Sequence, residues 1–238
     1  MNVVFYMIKL VESPEKIAKI IDHTNLKADA TVTDIEKLCN EAKNYGFTSV
    51  CVNPANVKLC TDFLKESDVN VCTVISFPLG ANTSKMKFFE TRDVIGFGAS
   101  EVDMVMNIGA LKSGLEEAVK ADIEGVIAAA EGNIVKVIIE TALLTEEEKI
   151  LACEIVKDAG ANFIKTSTGF GHSGATVEDI ALIRKTVGSS VNIKASGGIN
   201  NIKTVFDMVK AGAARIGTSS GVKIMEELLK LNQSIESI

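Results

Sequence analysis

Residues 161–221 read ANFIKTSTGFGHSGATVEDIALIRKTVGSSVNIKASGGINNIKTVFDMVKAGAARIGTSSG, and this stretch decides the fold. Three short β-branched runs, ANFIKTSTG, VNIKASGG and ARIGTSSG, end in glycine and hydroxyl residues, and two longer segments of helical periodicity separate them. Working outward, the same unit recurs towards the N-terminus: IDHTNL from Ile21, FTSVCVNP from Phe47, VNVCTVISFP from Val69, EVDMVMNIG from Glu101 and IVKVIIET from Ile134. With the runs from Ala161, Val191 and Ala214 this makes eight candidate strands. Strands that alternate with helices pair in parallel through right-handed crossovers, and eight such units close a (β/α)8 TIM barrel. The expected class is therefore α/β, a single domain over 1–238 with a short N-terminal extension over 1–14.

The helix boundaries have their own signals. Thr33 with Glu36, and Thr145 with Glu148, have capping-box spacing, and Thr176 with Asp179 is an aspartate version of it. Behind the first box, Ile35, Leu38, Cys39, Ala42 and Tyr45 share one face, and Gly46, Gly160, Gly188 and Gly212 stand where helices should end.

Composition sets the outer limits. The 238 residues are 47% hydrophobic and 24% charged, enough for one large core and too apolar for a disordered chain. A net charge of -6 with no basic run argues against nucleic acid or an anionic membrane as partner. The five cysteines, Cys39, Cys51, Cys60, Cys72 and Cys153, show no metal spacing and read as reduced thiols, which points to the cytoplasm. Met1–Leu10 is apolar but has no basic leader and is too short to span a bilayer. With only His23 and His172 present, a histidine-rich metal site lacks ligands, and no metal or cofactor is expected.

In a barrel of this kind chemistry sits at the C-terminal ends of the strands. Alternation in the fourth strand puts Glu101, Asp103, Val105 and Asn107 on one side, so Asp103 points into the barrel, where it needs a cation. Lys165 in the sixth strand and Lys194 in the seventh can face the same interior. A lysine in water, with a pKa of ~10.4, is a poor nucleophile near neutrality. Burial and a neighbouring cation both favour the neutral amine that attacks a carbonyl to form a Schiff base. Lys194 can be that cation, and Asp103 can shuttle protons during dehydration. A structural ion pair between a buried Lys and Asp is the plainer reading, and the second lysine shifts the balance towards chemistry. Glycines and hydroxyls at Ser167, Thr168 and Gly169, at Gly197 and Gly198, and from Gly217 to Gly221 are candidate anion cradles, with Ser219 and Ser220 at a helix start.

These segments, in order and spacing from about Ile20 to about Leu229, resemble the deoxyribose-phosphate aldolases, with KTSTGF followed by KASGGI the most specific match. The resemblance implies a class I aldolase that reversibly cleaves 2-deoxyribose 5-phosphate into acetaldehyde and glyceraldehyde 3-phosphate. It makes Lys165 the Schiff-base lysine, Asp103 a proton donor and acceptor, and Lys194 the lysine that tunes Lys165. It assigns the phosphate to Gly169, Gly197, Gly198, Ser219 and Ser220, and the sugar chain to Thr168. It also implies a cytoplasmic homodimer or homotetramer that acts on small phosphosugars and aldehydes. Some members carry a lysine after the STG motif, where this chain has Phe170, so phosphate binding should rest more on backbone N–H groups.

Asp22, placed at the end of the first strand, fits an acidic position near the second lysine or else a turn cap. Cys51 lies near the barrel mouth or is a small buried hydrophobe, and Glu140 either orients polar groups or pairs with Lys136 or another cation. His23 reads as a structural hydrogen bonder and His172 as a solvated loop residue. A different Schiff-base lyase and a non-catalytic phosphate-binding barrel both remain compatible with these residues.

Overall fold

The computed structural model describes residues 13–236. Eight parallel strands close in sequence order into a barrel: β1 (Ile21–Asn25), β2 (Ser49–Val52), β3 (Asn70–Ile75), β4 (Glu101–Val105), β5 (Ile134–Ile138), β6 (Phe163–Lys165), β7 (Asn192–Ser196) and β8 (Arg215–Thr218), with β8 pairing back to β1. Ten helices surround them: α1 (Pro14–Ala18), α2 (Val32–Tyr45), α3 (Val57–Phe63), α4 (Ser84–Gly96), α5 (Ile108–Lys112), α6 (Glu116–Ala129), α7 (Glu146–Asp158), α8 (Val177–Val187), α9 (Ile202–Ala211) and α10 (Gly221–Glu236), among the described residues. All eight sequence-read strands are present, but each is shorter than its apolar run. The trailing residues of those runs, such as Thr166–Gly169 after β6, form loops over the mouth.

Of the expected extension, residues 1–12 lie outside the described residues. Pro14 already opens α1, whose Ile17 and Ala18 are buried in the core. Proline suits this position because its missing N–H is one that a helix start leaves unpaired.

The first capping box is not where the sequence spacing put it. Thr31, two residues before Thr33, caps α2: its hydroxyl accepts from the Asp34 N–H at 3.3 Å and the Asp34 carboxylate accepts from the Thr31 N–H at 2.8 Å. Aspartate at the third position does the work expected of glutamate. The Thr145 and Glu148 box is present as expected, and Thr176 accepts from the Asp179 N–H. Ile35, Leu38, Cys39 and Ala42 are buried and Tyr45 partly so, and α2 stops at Gly46, whose left-handed φ of 68° few side chains tolerate.

The apolar core divides in two. The larger part fills the space between strands and helices, and includes Val102, Met104, Val135, Val137, Ile164, Ile193 and Ile216 from the outward faces of the strands. A small second cluster, Leu26, Cys51, Cys72 and Val74 with Phe77 against it, forms separately from it. Barrel interiors are ordinarily packed with branched aliphatic side chains. Here the inward positions Asp22, Ser49, Glu101, Asp103, Lys136, Lys165, Lys194 and Arg215 are buried and polar. The outer layer therefore carries most of the hydrophobic stabilisation.

Thr31→Ala should destabilise the protein by about 1 kcal/mol in urea unfolding, the usual cost of losing such a cap, whereas Thr33→Ala should be close to neutral.

Candidate active site

Asp103, third residue of β4, sits beside Lys136 of β5 in the strand register, and Lys165 of β6 sits beside Lys194 of β7. Because their side chains all point inward, four elements converge on one carboxylate. Asp103 Oδ2 accepts from Lys165 Nζ and from Lys194 Nζ, each at 2.8 Å. Oδ1 accepts from Lys136 Nζ at 2.8 Å and from Cys72 Sγ at 3.2 Å. The two lysine nitrogens on Oδ2 thus lie within twice that contact distance of each other.

The cluster continues through the barrel as a closed ring. Lys194 Nζ also lies 2.5 Å from Asp22, and Asp22 Oδ1 accepts from Arg215 at 2.6 Å and from the Ser49 hydroxyl at 2.7 Å. Arg215 meets Glu101 at 3.3 Å, and Glu101 lies 2.5 Å from Lys136. Phe163 lies below, its ring centroid 5.5 Å from the Arg215 guanidinium. Four cationic side chains therefore face three carboxylates. Loss of one lysine proton would balance the ring.

The electrostatics follow from this crowding. Burial alone would push the Asp103 carboxyl up, but the charges of Lys136, Lys165 and Lys194 hold it well below the ordinary carboxylate range. Asp22 is likewise held down against burial, by Lys194, Lys136 and Arg215. For Lys194, burial works against the charge, yet Asp103 and Asp22 raise its pKa. Lys136 moves the same way, with Asp103 the chief cause opposing burial. Near neutrality, Asp103 is thus an anion and Lys194 and Lys136 are cations. Burial, with Asp103 beside it, pushes the Cys72 thiol well up, so it stays protonated and donates to the carboxylate.

Lys165, Thr168, Gly169, Gly197, Gly198, Ser219 and Ser220 line one cavity of about 600 Å³ at the barrel mouth. Of the residues singled out in the sequence, Lys165 alone both touches Asp103 and opens to this cavity. Asp103 and Lys194 lie beneath it, fully buried. The Thr168 N–H is donated to Glu140 Oε2 at 3.1 Å, the Phe170 N–H to Thr168 Oγ1 at 3.0 Å and the Ser220 N–H to Thr218 Oγ1 at 2.9 Å.

Several sequence expectations change. Asp22 is the second residue of β1 rather than its end, and of its two readings the place near Lys194 holds and the turn cap does not. Glu140 does not pair with Lys136, which Asp103 and Glu101 hold; it reaches across to the loop after β6. Gly217 lies inside β8, not after it. A Cβ there would come within 2.9 Å of Lys194 Cε and 3.0 Å of Ser196 Cβ, so glycine leaves the room that Lys194 occupies. Cys51 is buried next to Cys72 on the neighbouring strand. His23 makes a structural bond, as read, to Glu41 Oε2 at 2.8 Å, and His172 is exposed in its loop.

Sequence reasoning missed Lys136, Glu101 and Arg215 as members of the ring. The signal was there, since each is a charged residue at an inward position of an otherwise apolar strand. Cys51, Cys72 and Asp103 also bring three potential metal-ligand atoms within 4.8 Å of one another. Three ammonium groups already surround that carboxylate, so a cation fits poorly there.

Comparison with known proteins agrees with this geometry. Residues 16–227 match the model of the DeoC/LacD family aldolases. A deoxyribose-phosphate aldolase from Geobacillus sp. (strain WCH70) is 59% identical over 211 residues, covering 88% of this chain and 95% of that one. Among solved structures, an aldolase called QR15 superposes with a TM-score of 0.88 at 41% identity, covering 92% of this chain and 98% of its own. A deoxyribose phosphate aldolase from Aeropyrum pernix, described as having a unique tetrameric structure, gives a TM-score of 0.88 at 32% identity, with 97% of this chain and 98% of that one covered. With its closed barrel and the lysine-ringed carboxylate at its centre, the chain belongs to the DeoC/LacD family of aldolases.

Proposed function

We propose that this protein is a deoxyribose-phosphate aldolase, a lyase that reversibly cleaves 2-deoxyribose 5-phosphate into acetaldehyde and glyceraldehyde 3-phosphate through an imine on Lys165. The observation that carries the reading is Lys165 itself: its nitrogen faces the cavity and shares one carboxylate oxygen with a second lysine.

The chemistry follows from the ring. Lys165 gives up a proton to water in the cavity, leaving three carboxylates opposite three cations, and its lone pair adds to the aldehyde carbon of the open-chain sugar. Asp103, an anion at rest, accepts an N–H proton as the amine adds, cavity water protonates the alkoxide to give the carbinolamine, and Asp103 returns its proton to the departing hydroxyl, which leaves as water. Lys194, held as a cation by Asp103 and Asp22, takes part in the same proton transfers. Removal of the C3 hydroxyl proton then breaks the C2–C3 bond. The electron pair moves into the iminium, giving an enamine, and glyceraldehyde 3-phosphate leaves. Protonation of the enamine carbon and hydrolysis release acetaldehyde and restore Lys165.

Gly169, Gly197, Gly198, Ser219 and Ser220 hold the phosphate, and Thr168 faces the sugar chain. Anchoring the remote phosphate fixes the reacting carbon over Lys165. This reading carries with it a cytoplasmic homodimer or homotetramer acting in deoxyribonucleotide and carbohydrate breakdown. No helix among the described residues is long and apolar enough to cross a membrane.

Borohydride reduction in the presence of acetaldehyde should leave a two-carbon adduct on the Lys165 peptide by mass spectrometry, with glyceraldehyde 3-phosphate released from the sugar in parallel. Lys165→Ala should abolish the adduct and lower turnover by roughly a thousandfold or more. Lys194→Leu should cost about a hundredfold in rate. An unmodified Lys165 peptide in folded, active protein would refute the imine.

Gly217→Ala should lower kcat by about tenfold in a steady-state assay, because its methyl group displaces Lys194. Stability should be flat with pH near neutrality and fall on both sides. The depressed Asp22 and Asp103 contribute stability that is present above about pH 4 and lost on acidification, since the unfolded state then binds more protons. The raised Lys194 and Lys136 contribute stability that is present below about pH 10 and lost as the pH rises further. Urea midpoints measured from pH 3 to 11 check both limbs.

A further inference from the structure

The cavity over Lys165 reaches well past the buried ring. Its far wall is built by the β1–α2 loop and α2, and includes Lys27, Asp34, Lys37 and Glu41. The same cavity is lined by the turns after β6, β7 and β8, the last of them on the strand that pairs with β1, and these hold the phosphate in the proposed function. Those turns carry no lysine or arginine: residues 166–176 read TSTGFGHSGAT, 197–201 read GGINN, and after β8 come Ser219 and Ser220. Three of their amides, those of Thr168, Phe170 and Ser220, are already donated within the protein. A phosphate dianion seated there is held more tightly where another element brings positive charge to it. Among the described residues lining the cavity, the lysines are Lys27, Lys37 and Lys165, and there is no arginine.

The wall on α2 is organised for this. Its carboxylates are committed: Asp34 accepts from the Thr31 N–H at 2.8 Å and the Thr31 hydroxyl at 2.6 Å, and Glu41 accepts from His23 Nε2 at 2.8 Å. The ammonium groups are held more loosely. Lys37 Nζ lies 3.8 Å from Glu41, and Lys27 has no ion-pair partner within 4 Å among the described residues. His23 joins this wall to the start of α10. Burial holds its ring below the ordinary histidine pKa, so Nε2 carries the proton given to Glu41. Its Nδ1 is buried without a hydrogen-bond partner among the described residues, and a Cβ on Gly221 would lie 2.8 Å from it. Glu41 is thereby held against the first turn of α10, with Lys37 one turn before it on α2, and a helix start of this kind suits an anion.

We infer that Lys27 and Lys37, which line the same cavity as the glycine turns, supply the side-chain positive charge that binds the substrate phosphate. The assignment rests on the phosphorylated substrate of the proposed function. Lys37 exchanges a long, exposed contact with Glu41, which contributes little, for a charge-assisted bond to phosphate oxygen. Lys27 completes the clamp from the loop. Both act on the phosphate end alone, some distance from the imine, so they govern substrate capture rather than bond cleavage.

The double variant Lys27→Gln/Lys37→Gln separates these effects, and Lys37, 74% exposed, is free of any packing role. The KM for 2-deoxyribose 5-phosphate should rise about tenfold, as expected for two partly exposed charge contacts, with kcat within about twofold of the parent. Cleavage of unphosphorylated 2-deoxyribose should be unchanged. Inorganic phosphate, as a competitive inhibitor, should weaken in step with the KM, and Lys37→Arg alone should keep the parent KM. An unchanged KM for the phosphorylated sugar, or an equal loss on both sugars, overturns the assignment. Failure of the parent protein to cleave the phosphorylated sugar at all would instead refute the aldolase reading beneath it.

Discussion

The carboxylate of Asp103, shared by three lysines at the centre of the barrel, is the interaction on which the rest of the structure depends. A charge taken out of water costs several kcal/mol unless partners replace the lost solvation. Here every partner brings a further buried charge, so the solution propagates. Lys194 requires Asp22, Asp22 requires Arg215, Arg215 meets Glu101, and Glu101 returns to Lys136. The ring closes because a barrel of eight strands brings all these inward positions round to one another. An open sheet would leave its ends unpaired.

This arrangement divides labour between two layers. The space between strands and helices is filled by aliphatic side chains and stabilises the fold. The space inside the barrel is given to charges, which stabilise it less and hold Asp103 as an anion and Lys194 and Lys136 as cations at rest. Preorganised charge of this kind requires no rearrangement as the reaction proceeds. Small residues complete the fit: Gly217 makes room for the Lys194 stem, and the cysteine pair beside Asp103 contributes a thiol donor without bulk.

At the mouth, the two sides of the cavity are unlike. One side is glycine and hydroxyl turns that approach a ligand closely, and the other is a helix wall of charged side chains anchored by His23 and Glu41. A phosphate between them would meet backbone on one side and ammonium groups on the other. The identity of residue 170 has a bearing on this, because Phe170 packs edge-on against Phe77 at 5.3 Å and brings no charge to the loop after β6.

The sequence by itself determined the eight-fold alternation of strands and helices, and with it the barrel, because periodicity is a local property that each segment carries alone. Alternation within β4, β6 and β7 likewise sufficed to send Asp103, Lys165 and Lys194 inward. Only the tertiary structure decided which charges share which partner. Asp22 suited either a place near Lys194 or a turn cap until β1 closed against β8 and put it beside Arg215 and Lys194. Lys136 was one of several partners open to Glu140 until the β4–β5 register placed it opposite Asp103. The capping box slid from Thr33 to Thr31 because spacing allows both and only the path of the chain into α2 selects one. Pairing between elements depends on register and closure, and these are properties of the whole barrel that no single segment encodes.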